Sequence, residues 1–157
     1  KDEYYNFASK HFANDGRTIS KECFDLIYNT FEGHTWYVQR ILNELYAQTK
    51  SSPITTDDVV YVLDYVTRLS ARGFEEQFHS FSYNQKQLLI AIAKEGKANG
   101  ITSMSFIKRH SLKSPSTVQS AAKALYDNEV ITKEDDAYLI YNRLFALWIR
   151  KKYTTEQ

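Results

Sequence analysis

The sequence predicts a mainly α chain: a four-helix bundle over residues 1–79, followed over residues 80–157 by three helices, a short β-hairpin and a last helix. Three observations lead there. Apolar residues recur at i, i+3, i+4 and i+7 through most of the chain, the spacing of one buried helix face. Start and stop residues divide those runs at short intervals. Alternation of period two is found only after residue 130, in VITK and AYLIY on either side of Glu134-Asp135-Asp136.

In the first segment Tyr4, Phe7, Ala8 and Phe12 share one face, and Asn14-Asp15-Gly16 ends the helix with a glycine that takes a left-handed cap at little cost. Ser20 is placed to cap a second helix, whose inward set is Phe24, Ile27, Tyr28 and Phe31 and which Gly33 closes. A third runs through HTWYVQRILNELYAQTK on a stripe of Val38, Ile41, Leu42 and Leu45, until Ser51-Ser52-Pro53 breaks it. Thr56-Asp57-Asp58 open a fourth, with acids where the helix dipole favours them. Val59, Val62, Leu63, Val66 and Leu69 carry it inward to about Arg72.

From residue 80 the pattern changes. Ser82-x-x-Gln85 is a capping box ahead of Leu88, Leu89 and Ile92. Gly96 and Gly100 bracket a short turn, and Ser103 caps a brief helix holding Phe106 and Ile107. Ser114-Pro115 then puts a capping serine before proline at the first helical position, and Val118, Ala121, Ala122 and Leu125 form the inward face behind it. Ile131, Tyr138 and Ile140 point inward from the hairpin, and NRLFALWIRKK buries Leu144, Phe145 and Trp148. Helix, helix, helix, hairpin is the order of a winged helix-turn-helix.

Composition narrows the function classes. Residues 1–79 carry 8 Lys+Arg against 12 Asp+Glu, and residues 80–157 carry 12 against 7, an asymmetry that suits two modules, the second facing an anionic partner. Cys23 is the one cysteine, so no intramolecular disulfide forms and a reducing, cytoplasmic setting is expected. No apolar run approaches the roughly 20 residues of a membrane span, so no membrane partner is expected. The chain opens Lys-Asp-Glu with no initiator Met, which suggests a piece of something longer.

Two stretches carry a family resemblance. FEGHTWYVQRILNELY at 31–46 resembles the lid segment of bacterial and archaeal P-loop ATPases of the AAA+/STAND lineage, and EYYNFASKHF is similar to the first lid helix. SPSTVQSAAKALYDNEVITKEDDAYLIYNRLFALWIRK at 114–151 is similar to the C-terminal winged helix of the same family. The likeness runs from about residue 3 to residue 152. It implies a parent protein with a nucleotide-binding core ahead of residue 1, which would hold ATP and Mg and supply the upstream partner of this fragment. Residues 1–79 would then be the lid. Three positions depart from the pattern: Asn142 for Asp, Thr35 for the proline of many such lids, and Trp36 where a phosphate-sensing arginine would stand.

The chain itself is expected to be non-catalytic and to hold no cofactor. Its five glycines offer no G-x4-G-K-[S/T], the spacing that lets backbone N–H groups cradle phosphate. The four histidines do not cluster at metal-ligand spacing, and Cys23 lies on an apolar helix face as an inert thiol. His34, at a helix start behind Gly33, is the candidate to face nucleotide, with Arg40 one turn past Trp36 as a weaker one. Capping and solvation are the bland readings of the two.

For the winged helix the outward positions are Ser116, Gln119, Ser120, Lys123 and Asp127, polar residues suited to a major groove. Lys108, Arg109 and Lys113 just ahead suit backbone phosphates. The acidic Glu134-Asp135-Asp136 tip opposes DNA, and winged helices also dock proteins, so DNA and a protein both stand as partners. Arg143, Arg150, Lys151 and Lys152 make the last helix basic on its exposed side. The expected function is a lid plus an effector arm of an ATPase. The alternative is a stand-alone winged-helix transcription regulator whose first bundle dimerises or senses a ligand.

Overall fold

The computed structural model describes residues 1–50 and 52–154, and the chain divides into two compact units between Leu69 and Ser70.

The first unit holds α1 (Asp2–Ala13), α2 (Lys21–Thr30), α3 (Thr35–Gln48) and α4 (Thr56–Leu69). Its core is the set the periodicity selects, with Phe12, Phe24, Ile27, Phe31, Val38, Ile41, Leu45, Val59, Val62 and Val66 all buried. The caps fall where the sequence puts them. Ser20 Oγ accepts from the Cys23 N–H at 3.1 Å, and Asp58 accepts from both the N–H and the hydroxyl of Thr55 at 2.8 Å. Arg17 finishes α3 by donating to the Tyr46 and Thr49 carbonyls at 2.8 and 2.6 Å, groups a helix C-terminus otherwise leaves unpaired. The chain ahead of α2 meets the chain ahead of α4 in a single parallel bridge, Ile19 to Ile54, where the Ile54 N–H donates to the Thr18 carbonyl at 2.9 Å.

Three expectations are corrected here. Phe7 is 57% exposed, because α1 meets the bundle through Ala8 and Phe12, with Tyr4 and Tyr5 packed on Phe24, and Phe7 lies off that face. Leu69 is exposed too, and α4 stops there rather than near Arg72. Helix α3 ends at Gln48, ahead of the Ser51-Ser52-Pro53 break, of which Ser51 lies outside the described residues.

Between α2 and α3 the chain reverses through Glu32 (φ +53°) and Gly33 (φ +75°). The Gly33 N–H donates to the Tyr28 carbonyl at 2.8 Å. A Cβ on Gly33 would stand 2.5 Å from the Tyr28 hydroxyl oxygen. Both the left-handed backbone and the close approach demand glycine.

The second unit begins with a helix the sequence reading did not anticipate, α5 (Ala71–Ser80). It continues with α6 (Tyr83–Glu95), α7 (Met104–Arg109), α8 (Pro115–Asp127), β1 (Ile131–Glu134), β2 (Ala137–Ile140) and α9 (Arg143–Tyr153). Phe74 and Phe78 of α5 are buried and lie against Phe145, Trp148 and Tyr153, at ring separations from 4.7 to 6.2 Å. Glu75 also meets Lys152 of α9, a hydrogen bond that holds the Glu75 carboxyl below its ordinary pKa and Lys152 above its own. The expected boundary at residues 79/80 is therefore some ten residues too late.

Helix α6 is the spine of this unit, packed on α8, α9 and β2 through Leu88, Leu89, Ala91, Ile92 and Ala93. Its capping box is complete: Ser82 Oγ accepts from the Gln85 N–H, and Gln85 Oε1 accepts from the Ser82 N–H at 2.9 Å. The hairpin pairs Ile131 with Ile140 and Glu134 with Ala137. Ala98 adds a third strand position, exchanging both backbone hydrogen bonds with Tyr138 at 2.9 Å. That bridge lies where the sequence suggested only a turn between Gly96 and Gly100.

Candidate nucleic-acid interface

Helix α8 is held at its start by Ser114, whose Oγ accepts from the Thr117 N–H at 3.2 Å, with Pro115 behind it. Val118, Ala121, Ala122 and Leu125 are buried, and the alanines let α8 lie close on α6. A helix buried on that face presents the opposite one. Ser116, Gln119, Ser120, Lys123 and Asp127 are all exposed, as the sequence required. Lys123 is not a free cation, however, since its ammonium donates to Asp127 one turn later at 2.5 Å.

The connector supplies the remaining charge. Lys108 and Lys113 are exposed and make no ion pair or side-chain hydrogen bond among the described residues. Arg109 differs, donating to Glu95 Oε1 at 2.6 Å, and His110 Nε2 lies 2.6 Å from the same oxygen. The His110 ring is packed against Phe106 with centroids 4.5 Å apart. Glu95 thus ties the end of α6 to the end of α7 and fixes the turn into α8. Nothing in the sequence singled it out, because its partners lie 14 and 15 residues away.

The N-termini of α6 and α8 open onto a shared polar surface. One cleft of about 410 Å³ is lined by Ser82, Asn84, Gln85, Ser116, Thr117 and Ser120 among others. A second, of about 340 Å³, adds Tyr83, Gln87, Ser111 and Lys113. Hydroxyls, amides and two positive helix ends, with no carboxylate in the lining, form a surface matched to phosphate oxygens. Of these residues the sequence pattern points to Ser116, Ser120 and Lys113, and to Ser82 and Gln85 only as caps. Asn84 and Tyr83 carry no motif.

Two charge arguments from the sequence change in three dimensions. The hairpin tip is not a bare acidic patch. Glu134 is shared between Lys97 at 3.2 Å and Arg143 at 3.0 Å, and Lys133 lies 3.7 Å from Asp136. Two of the three tip carboxylates, Glu134 and Asp136, thus have cation partners. Nor is α9 a basic face awaiting a partner. Arg143 donates to the Ile140 carbonyl at 2.6 Å, Arg150 to the Ala93 carbonyl at 2.8 Å, and Lys152 is taken by Glu75. Those side chains build the unit.

In the first unit, His34 is the exposed N-cap residue of α3 and makes no side-chain capping bond; its ring meets the edge of Tyr37 at 5.0 Å. Arg40 lies with its guanidinium over the exposed Trp36 ring, 5.6 Å from the centroid. Six residues of helix separate the two positions by about 120° around the axis, so α3 does not bring them to one point.

No helix among the described residues is long and apolar enough to cross a membrane. A family model described as a probable winged helix domain matches residues 72–151. No curated protein and no solved structure matches the chain. The matched span begins inside α5, in keeping with the place of that helix in the second unit.

Proposed function

Because the chain belongs to the probable winged helix domain family, we propose that it works as a DNA-contacting module, with α8 as the helix that enters the major groove. The observation carrying this reading is the outer face of α8, polar along its length and preceded by two unpaired lysines, Lys108 and Lys113. The Gln119 carboxamide offers the donor and acceptor that an adenine edge needs, and Ser116 and Ser120 are small enough to let the helix lie deep. The lysines and the helix N-termini of α6 and α8 take backbone phosphates, setting position rather than sequence. With Glu134 held by Lys97 and Arg143, the hairpin tip opposes this approach less than its three acids suggest.

The test is fluorescence anisotropy on a labelled duplex across a salt series. Two phosphate contacts give a log–log slope near −2, and replacing both lysines (Lys108→Ala with Lys113→Ala) should flatten it by about 2 and weaken binding at least about tenfold. Equal affinity and slope for the double variant would remove Lys108 and Lys113 as phosphate contacts, and no saturable binding of the duplex by the unaltered chain at low salt would remove DNA from the account and leave a protein as the partner of α8.

The finer part of the proposal concerns the first unit. It acts as a cover over ATP and Mg held by a nucleotide-binding core of a parent ATPase, while this chain performs no catalysis. Support comes from the likeness of FEGHTWYVQRILNELY and EYYNFASKHF to ATPase lids, and from His34, exposed at a helix N-terminus where anions are favoured. In the parent protein, His34→Ala should weaken ATP binding severalfold, read by nucleotide titration. ATP turnover by the isolated chain would end this reading.

A further inference from the structure

We propose that the cleft between α1 and α3 is a binding site for an uncharged purine base or nucleoside. The cleft encloses about 590 Å³, within the range of small-molecule sites. Two helical stripes face each other across it: Tyr4, Phe7, Ala8 and His11 from α1, and Gln39, Leu42, Asn43 and Tyr46 from α3.

Three features select the ligand. The first is aromatic surface. Phe7 is 57% exposed and lines this cleft, with the His11 ring 4.7 Å away. Tyr46 is held rigidly opposite, one face covered by the Arg17 guanidinium at 4.0 Å and its hydroxyl donating to Asp15. A flat ring gains stacking from such walls at little entropic cost.

The second is unused hydrogen-bonding capacity. Gln39 and Asn43 stand one turn apart on α3, and neither carboxamide makes a hydrogen bond among the described residues; nor does the His11 ring. Carboxamides pair a donor with an acceptor, the arrangement that reads the edge of a purine. The third is charge. The lining includes no Lys, Arg, Asp or Glu, and the neighbouring Arg17 is taken by the Tyr46 and Thr49 carbonyls and Asp15, so a phosphate placed here would lose hydration with no free cation to receive it. The site therefore suits a base or nucleoside over a nucleotide, and it depends on neither the DNA reading nor the lid reading.

Calorimetric titration of the chain with adenosine, guanosine and their 5′-monophosphates tests this. At least one nucleoside should bind one to one, with its monophosphate binding no more tightly. Phe7→Ala and Asn43→Leu, both at exposed positions and checked for retained helicity, should each weaken binding about tenfold. Lys113→Ala, in the other unit, should leave it unchanged. The proposal is overturned if neither nucleoside saturates, if both cleft variants bind like the parent chain, or if the monophosphate binds more tightly.

Discussion

A fragment beginning at Ser70 should fold alone and melt cooperatively, whereas one beginning at Ser82 should lose fixed tertiary structure at room temperature. The difference is α5. Removing it strips Phe74 and Phe78 from the Phe145, Trp148 and Tyr153 cluster. Each buried Phe side chain contributes about 1.5–3 kcal/mol, and each favourable ring pair about 0.5–1.5 kcal/mol more. Trp148 and Phe145 would also face water. Set against a typical domain stability of about 5–15 kcal/mol, a loss of about 5 kcal/mol or more takes up much or all of the margin. Trp148 is the only tryptophan in the second unit, so its emission reports directly, and a red-shifted spectrum with a broad melt is expected for the shorter fragment. Identical melts for the two fragments would show that the unit begins at Ser82 after all.

Gly33→Ala should destabilise the first unit by about 2–4 kcal/mol, combining a strained left-handed backbone with a steric clash. The clash is with the Tyr28 hydroxyl, and Tyr28 is itself packed on Phe24 with ring centroids 5.8 Å apart. Adding Tyr28→Leu to Gly33→Ala separates the two causes. It should recover the steric share relative to Tyr28→Leu alone and leave the backbone share of about 1 kcal/mol. Urea unfolding followed by circular dichroism gives the four midpoints. If Gly33→Ala alone costs under about 0.5 kcal/mol, the turn is more pliant than its geometry indicates. The turn also sets the entry of α3, and with it where His34 is presented.

Much of the fold could be read from residues because helix caps are local. Ser20, Ser82, Ser103 and Ser114 each accept from a backbone N–H three residues on, so side-chain chemistry marks the start of four helices. Helix α5 was invisible for the converse reason: ARGFEEQFHS has two apolar aromatics one turn apart, a glycine and no capping bond, and only α9 gives it a buried side. Ala98 pairs with Tyr138 forty residues away, and no local pattern announces that.

The candidate interface divides along the same line. Helical period alone placed Ser116, Gln119 and Ser120 outward. The Lys123–Asp127 pair sits at i, i+4 and is open to the same reasoning. Arg109 on Glu95, and Glu134 between Lys97 and Arg143, are tertiary contacts and could only be found in three dimensions.

One carboxylate receives both Arg109 and His110 at 2.6 Å, which makes Glu95 a brake on the electrostatics of its neighbourhood. On the DNA reading of α8, the Arg109 guanidinium is already engaged by this carboxylate before any phosphate arrives. Relatives that drop the acid would then tighten their grip on a polyanion with every outward side chain of α8 left as it is. Sequence surveys of the outward α8 positions alone would overlook such tuning.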